Sequence, residues 1–234
     1  MPPRHARPTP RRLIRRPRRS RPQGGSVLAP RGLVEVLEAI ERLSPELPWE
    51  EVAPSVLPVF ERAVPPTLPP EAHDQVRLVL PPGVSVGFGV DIGPALMRVT
   101  RGLLQEWGQT ADALAIRAVF NLRARAGVAD PADLVRVPVE DLVVTAYQSG
   151  DGWASALLLV PDLLGRLFGQ HPQLFGAPMR DLLISVPPGS DREAFGWLVE
   201  ELSTLDPNGL ALEAFAFSDG LLRCEPLGGE AARA

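Results

Sequence analysis

The sequence predicts an α+β fold: a mixed or mainly antiparallel sheet of roughly five to seven strands, packed by three or four helices. Three observations carry that expectation. From Val76 onward, apolar runs of strand length alternate with amphipathic segments of helix length. Runs such as Val84 to Val90 alternate apolar residues with small or polar ones, as a strand does. Turn chemistry separates them, as at Pro187-Pro188-Gly189, Asp206-Pro207-Asn208-Gly209 and Asp219-Gly220.

Before that body, four elements are expected. Residues 1–26 are rich in Arg, Pro, Ser and Gly, with Leu13 and Ile14 almost alone as apolar residues. Such a segment cannot bury enough surface to offset its ordering entropy, so a disordered tail is expected. An upstream-extended gene start, with Val27 as the true one, fits the same composition. Leu33 to Leu43 reads as a helix, with Leu33, Val36, Leu37, Ile40 and Leu43 on one face and Glu35, Glu38, Glu41 and Arg42 on the other. Ser55 to Ala63 reads as a second, short helix. Pro65, Pro66, Pro69 and Pro70 then mark a linker. Residues 27–75 are therefore expected to form a small helical N-terminal part, residues 76–226 the main domain, and residues 227–234 a disordered tail.

Within the main domain, Val76 to Leu80 and Val84 to Val90 are expected strands around Pro81-Pro82-Gly83. In the second, Val84, Val86, Phe88 and Val90 share one face and Ser85, Gly87, Gly89 and Asp91 the other. Pro94 at a first helical position predicts a helix to Trp107, ended by Gly108. Thr110 caps the next helix, to about Ala126. Residues 127–138 are expected as loop. Leu142 to Tyr147 and Trp153 to Val160 are expected to pair as a hairpin around residues 148–152. Pro161 starts a helix to Phe168, and residues 169–180 are expected as loop. Asp181 to Val186 reads as a strand buried on both faces. Ser190 with Glu193 makes a capping box for a helix whose inward stripe is Phe195, Leu198, Val199, Leu202 and Leu205. Leu210 to Phe217 and Leu221 to Glu225 form a last hairpin.

Composition limits the function. The chain has 234 residues, 45% hydrophobic and 22% charged, with a net charge of −4, ordinary for a soluble globular protein. Nine of the 24 basic residues, all Arg, lie in residues 1–22, which hold no acid; the other 15 face 28 acids. The body is acidic, which disfavours non-specific nucleic-acid binding by that part; such binding, or binding to an anionic surface, would fall to the basic tail. One cysteine, Cys224, excludes an internal disulfide. His5, His73 and His171 have no paired spacing, so no metal site is expected. The longest strongly apolar run, Ala154 to Val160, is far short of the roughly 20 residues that span a bilayer, so a cytoplasmic protein is expected.

Several segments share an order with a known family: Val86-Gly-Phe-Gly-Val-Asp91, Trp107, Phe120-Asn-Leu-Arg123, Ser149-Gly-Asp-Gly-Trp153, Ala154 to Leu164, and Arg180-Asp-Leu-Leu-Ile-Ser-Val-Pro187. In these, residues 76–225 resemble the YtpQ-like bacterial proteins, domain of unknown function 1444. That family carries no established activity, so the resemblance assigns no residue a role and no cofactor is expected.

The polar candidates are few. Gly87-Phe-Gly89-Val-Asp-Ile-Gly93 follows a strand, but its spacing is one residue too long for a dinucleotide fingerprint; glycines on one strand face also serve close approach of a helix. Arg123 has the fork that grips carboxylate or phosphate, or it pairs with Asp91 or Asp151. Asn121 lies beside it. Asp151 sits in a turn that favours Asp for backbone reasons. Arg180 and Asp181 bracket a strand start, where sheet ends collect sites. A ligand cleft would therefore use Asp91, Asn121, Arg123, Asp151 and Arg180. With no nucleophile, metal or phosphate signature, the leading expectation is a non-catalytic protein that binds a protein partner.

Overall fold

The computed structural model describes Glu38 and residues 47–62, 74–79, 84–93, 95–206, 209–210 and 214–225. The helix expected over Leu33 to Leu43 and both tails lie outside the described residues, save Glu38, which is helical. The fold is α+β, with antiparallel pairing throughout, but the strands divide into two sheets.

The first sheet holds β1 (Val56–Arg62), β2 (Arg77–Val79), β3 (Val84–Asp91) and β4 (Leu96–Arg98), with β3 central. β1 replaces the helix expected over Ser55 to Ala63. Val56, Leu57, Val59 and Phe60 suit either a helix face or a strand buried on both sides. Pro58 and two β-branched valines decide against the helix. As the edge strand, β1 tolerates Pro58 and pairs with β3 along its whole length, from Val56↔Val90 to Arg62↔Val84. That pairing joins it to the main body across the expected linker. The short helix α1 (Trp49–Val52) precedes it.

The helix expected from Pro94 begins later, as α2 (Arg101–Glu106). Leu96 to Arg98 are used as β4, and Thr100 Oγ1 accepts from the Leu103 N–H at 3.2 Å. α3 (Ala111–Ala126) starts at Thr110 as expected, its Oγ1 accepting from Ala113 N–H at 3.1 Å. Leu114, Ala118 and Leu122 are fully buried.

The second sheet has the order β10-β9-β7-β8-β6-β5. β5 (Val135–Val139) lies where loop was expected and pairs with β6 (Leu142–Gln148). It is an exposed edge strand containing Pro138, so it lacks a buried face to betray it. Trp153 to Val160 is not the partner of β6: Ala154–Leu159 is a 3₁₀ segment, buried almost throughout, that leads into α4 (Pro161–Phe168). An unbroken apolar run reports burial, not geometry. β7 (Gln173–Met179) also occupies an expected loop; Gly176 and Pro178 mask it, and the register shifts between Gly176 and Met179. β8 (Leu182–Val186) is buried as expected. α5 (Arg192–Ser203) is capped by Asp191 rather than Ser190, Oδ1 accepting from Glu193 and Ala194 N–H at 2.9 and 3.2 Å. Its end leaves Leu205 exposed. β9 (Ala214–Ser218) and β10 (Leu221–Glu225) form the expected hairpin.

The two sheets share a core. Leu57, Phe60 and Val86 of the first cluster with Phe175, Leu183, Phe215 and Phe217 of the second, and Phe60 meets Phe215 edge-on at 6.3 Å. Among the described residues, no helix is long and apolar enough to cross a membrane.

Candidate functional site: a charged seam and an apolar groove

The described residues carry one charged side chain inside the core, Glu61, at 6% exposure. The register of the first sheet explains where it sits. Glu61 lies opposite Ser85, Arg77 opposite Gly87 and Arg98 opposite Gly89, so all three side chains share the face lined by β3's glycines. Arg77 Nε donates to Glu61 Oε2 at 2.8 Å, and Arg98 Nη1 pairs with Oε1. Arg77 Nη2 donates to Gln75 Oε1 at 2.6 Å. A Cβ at Gly87 would stand 2.9 Å from Glu61 Oε1. The glycine thus makes room for a carboxylate, where the sequence suggested a helix.

The charge of Arg180, in the β7–β8 turn of the second sheet, acts on the same seam. Burial, and then the charge of Arg180, lower the pKa of Arg98 to about 10. Burial also lowers that of Arg180, against the opposing pull of Asp206. Its neighbour Asp181 does not pair with it. Asp181 instead accepts from the Ser149, Gly150 and Gly152 N–H groups at 3.2, 3.1 and 3.0 Å, from the Ser149 hydroxyl, and from Gln148 Nε2 at 3.2 Å. Gly150 and Gly152 have φ of 81° and 80°, which turns successive N–H groups toward one anion.

The five expected site residues separate into local contacts. Asp91 pairs with Arg125 at 2.6 Å and accepts from the Gly93 N–H at 2.8 Å. Asn121 is buried, donating through Nδ2 to the carbonyls of Ala53 and Val56 at 2.7 and 2.9 Å; it ties α3 to the start of β1. Arg123 grips Asp162 with both nitrogens, at 2.6 and 2.8 Å, and that hydrogen bond holds the Asp162 carboxyl below its usual range. Asp151 is exposed in the turn that Asp181 holds. Only Asp151 and Arg180 are brought to one end of the second sheet. Sequence reasoning missed Glu61 and Arg98; the alternate glycines of β3 and an acid inside an apolar run were the available signals.

A second feature is apolar. On α3, Ile116 and Phe120 are 72% and 63% exposed. With Trp49, Gln109, Ala113 and Arg117 they line a groove of about 550 Å³. Trp49 leans on Trp107 at 5.4 Å, and Trp107 Nε1 donates to the Leu47 carbonyl at 2.7 Å, which fixes that wall. The Arg117 guanidinium lies 5.7 Å from the Phe120 ring centre.

The chain matches no family model. No curated protein and no solved structure matches it either. Among the described residues, no group of His, Cys, Asp and Glu is placed to hold a metal ion.

Proposed function

We propose that this chain is a cytoplasmic binding protein of the YtpQ-like kind, without chemistry of its own, that holds a partner protein through the outer face of α3. The observation that carries this reading is the exposure of Ile116 and Phe120 beside a Trp-walled groove. Large apolar side chains that line a concavity mark binding surfaces more often than singly scattered ones do. Ala113, Ile116 and Phe120 fall on one stripe of the helix, and a groove of this kind receives an amphipathic helix.

The partner's chemistry follows from the lining. Among the described residues the groove lining holds Arg117 and no acid, so its occupant carries acidic residues beside its apolar anchors. A synthetic peptide with the sequence of residues 33–43 has that character and serves as the probe. Titrated calorimetrically into the full chain, it is expected to bind with a Kd of about 10–100 μM. Phe120→Asp is expected to weaken it at least ~10-fold, and Arg117→Glu to weaken it less. Binding that ignores both substitutions, or none at ~1 mM peptide, overturns the proposal.

A further inference from the structure

We infer that Arg180 and Arg98, at the seam between the two sheets, form a binding site for an oxyanion: a carboxylate or phosphate group on a small molecule. This inference is independent of the α3 groove.

Arg180 is half-buried, and its Nε is sealed from solvent with no hydrogen-bond partner among the described residues. Trp153 Nε1 is sealed and unpartnered in the same way. Trp153 lies two residues before Ser155, whose N–H donates to the Arg180 carbonyl at 2.9 Å. Two orphan donors therefore belong to segments joined by a backbone hydrogen bond. Folded proteins rarely leave such donors unmade.

The charges point the same way. Glu61 is the buried carboxylate of the seam and is engaged by Arg77 and Arg98. The charge of Arg180, a third guanidinium, acts on Arg98, and Arg180 itself feels the field of Asp206. Burial weighs on the charged forms of both, and the charge of Arg180 weighs further on that of Arg98. An anion between Arg98 and Arg180 relieves the repulsion and supplies acceptors. Guanidinium is also the group best shaped for a two-oxygen grip on carboxylate or phosphate. Arg180 is held ready for this by its backbone. Its carbonyl is taken by Ser155, and Asp181 locks the adjoining turn through the Ser149, Gly150 and Gly152 N–H groups. Glu61 does not oppose the ligand, because Arg77 neutralises it.

The test uses the full chain with two probes, inorganic phosphate and succinate, read by calorimetry and by thermal unfolding. At least one probe is expected to bind saturably and to raise Tm with concentration. Phosphate alone would assign a phosphoryl group, succinate alone a carboxylate, and both a general oxyanion site. Arg180→Met is expected to weaken binding at least ~10-fold while leaving the probe-free Tm unchanged or higher, since a sealed donor without a hydrogen bond is removed. Arg180→Lys keeps the charge and loses the fork, so it is expected to lie between. Arg123→Ala, on the exposed face of α3, is expected to bind as the parent does. Three results overturn the inference: neither probe saturates below ~10 mM; Arg180→Met and Arg180→Lys bind as the parent does; or Arg180→Met lowers the probe-free Tm sharply, which would make Arg180 a structural partner. The first is read on the unsubstituted chain and does not depend on any variant folding.

Discussion

Gly87 in the four-stranded sheet and Gly176 in the six-stranded sheet each stand where a Cβ would collide, but with opposite kinds of neighbour. At Gly87 the obstacle is the Glu61 carboxylate, 2.9 Å away. At Gly176 it is Val199 and Phe195 of α5, at 2.6 and 3.0 Å. The larger sheet uses its glycine to bring an apolar helix close, with Leu174, Ile184, Val186, Phe195 and Val199 in one cluster. The smaller sheet uses its glycine to admit a charge. Close approach stabilises in the first case through apolar contact, and in the second only because two guanidinium groups meet the carboxylate. The same residue type in the same kind of strand thus signals packing in one sheet and a polar seam in the other.

Substitutions at the seam give the largest expected effect. Glu61→Ala leaves Arg77 and Arg98 part-buried and without their carboxylate, and is expected to cost about 3–5 kcal/mol in urea unfolding. If it costs under ~1 kcal/mol, the seam is wetter than its 6% exposure implies. Gly87→Ala and Gly176→Ala sharpen the contrast. Each is expected to cost about 1–3 kcal/mol by crowding. In a Glu61→Ala background the Gly87 cost is expected to vanish and the Gly176 cost to persist, a double-mutant cycle that separates the two obstacles.

The exposed pair gives a smaller effect. Arg123 and Asp162 are 46% and 58% exposed, so Asp162→Asn is expected to cost less than ~1 kcal/mol near pH 7. The Asp162 carboxyl is held low in the folded state. Its contribution is therefore present above the ordinary carboxylate range and lost as pH falls through the lowered value. Unfolding curves of the two proteins are expected to converge in acid; a gap that widens there would reverse the assignment. Smallest of all, Phe120→Ala is expected to change stability by less than ~0.5 kcal/mol, because its side chain is mostly in water.

Legibility followed burial pattern. β3, β8, α3 and α4 were readable because each alternates, caps or turns where its neighbours change. β5 and β7 were not. β5 is an exposed edge with nothing buried to give a period, and β7 carries Gly176 and Pro178, which read as loop. β1 was mistaken because an apolar run buried on both faces fits two periods at once. At the site, Arg180 and Asp151 were visible as turn residues at a sheet end. Glu61 and Arg98 were not, since they lie 37 positions apart in the chain and meet only through the β1–β3–β4 register.

By itself the sequence determined the α+β class, the helices opened by Thr110 and Pro161, the closing hairpin and the acidic body. These rest on local spacing and capping, which neighbours in the chain set alone. Tertiary structure decided that the strands divide into two sheets, that Gly87 faces a carboxylate, and that the charge of Arg180 bears on Arg98. Each depends on which strand pairs with which, and that choice is made by long-range burial rather than by any residue's immediate neighbours.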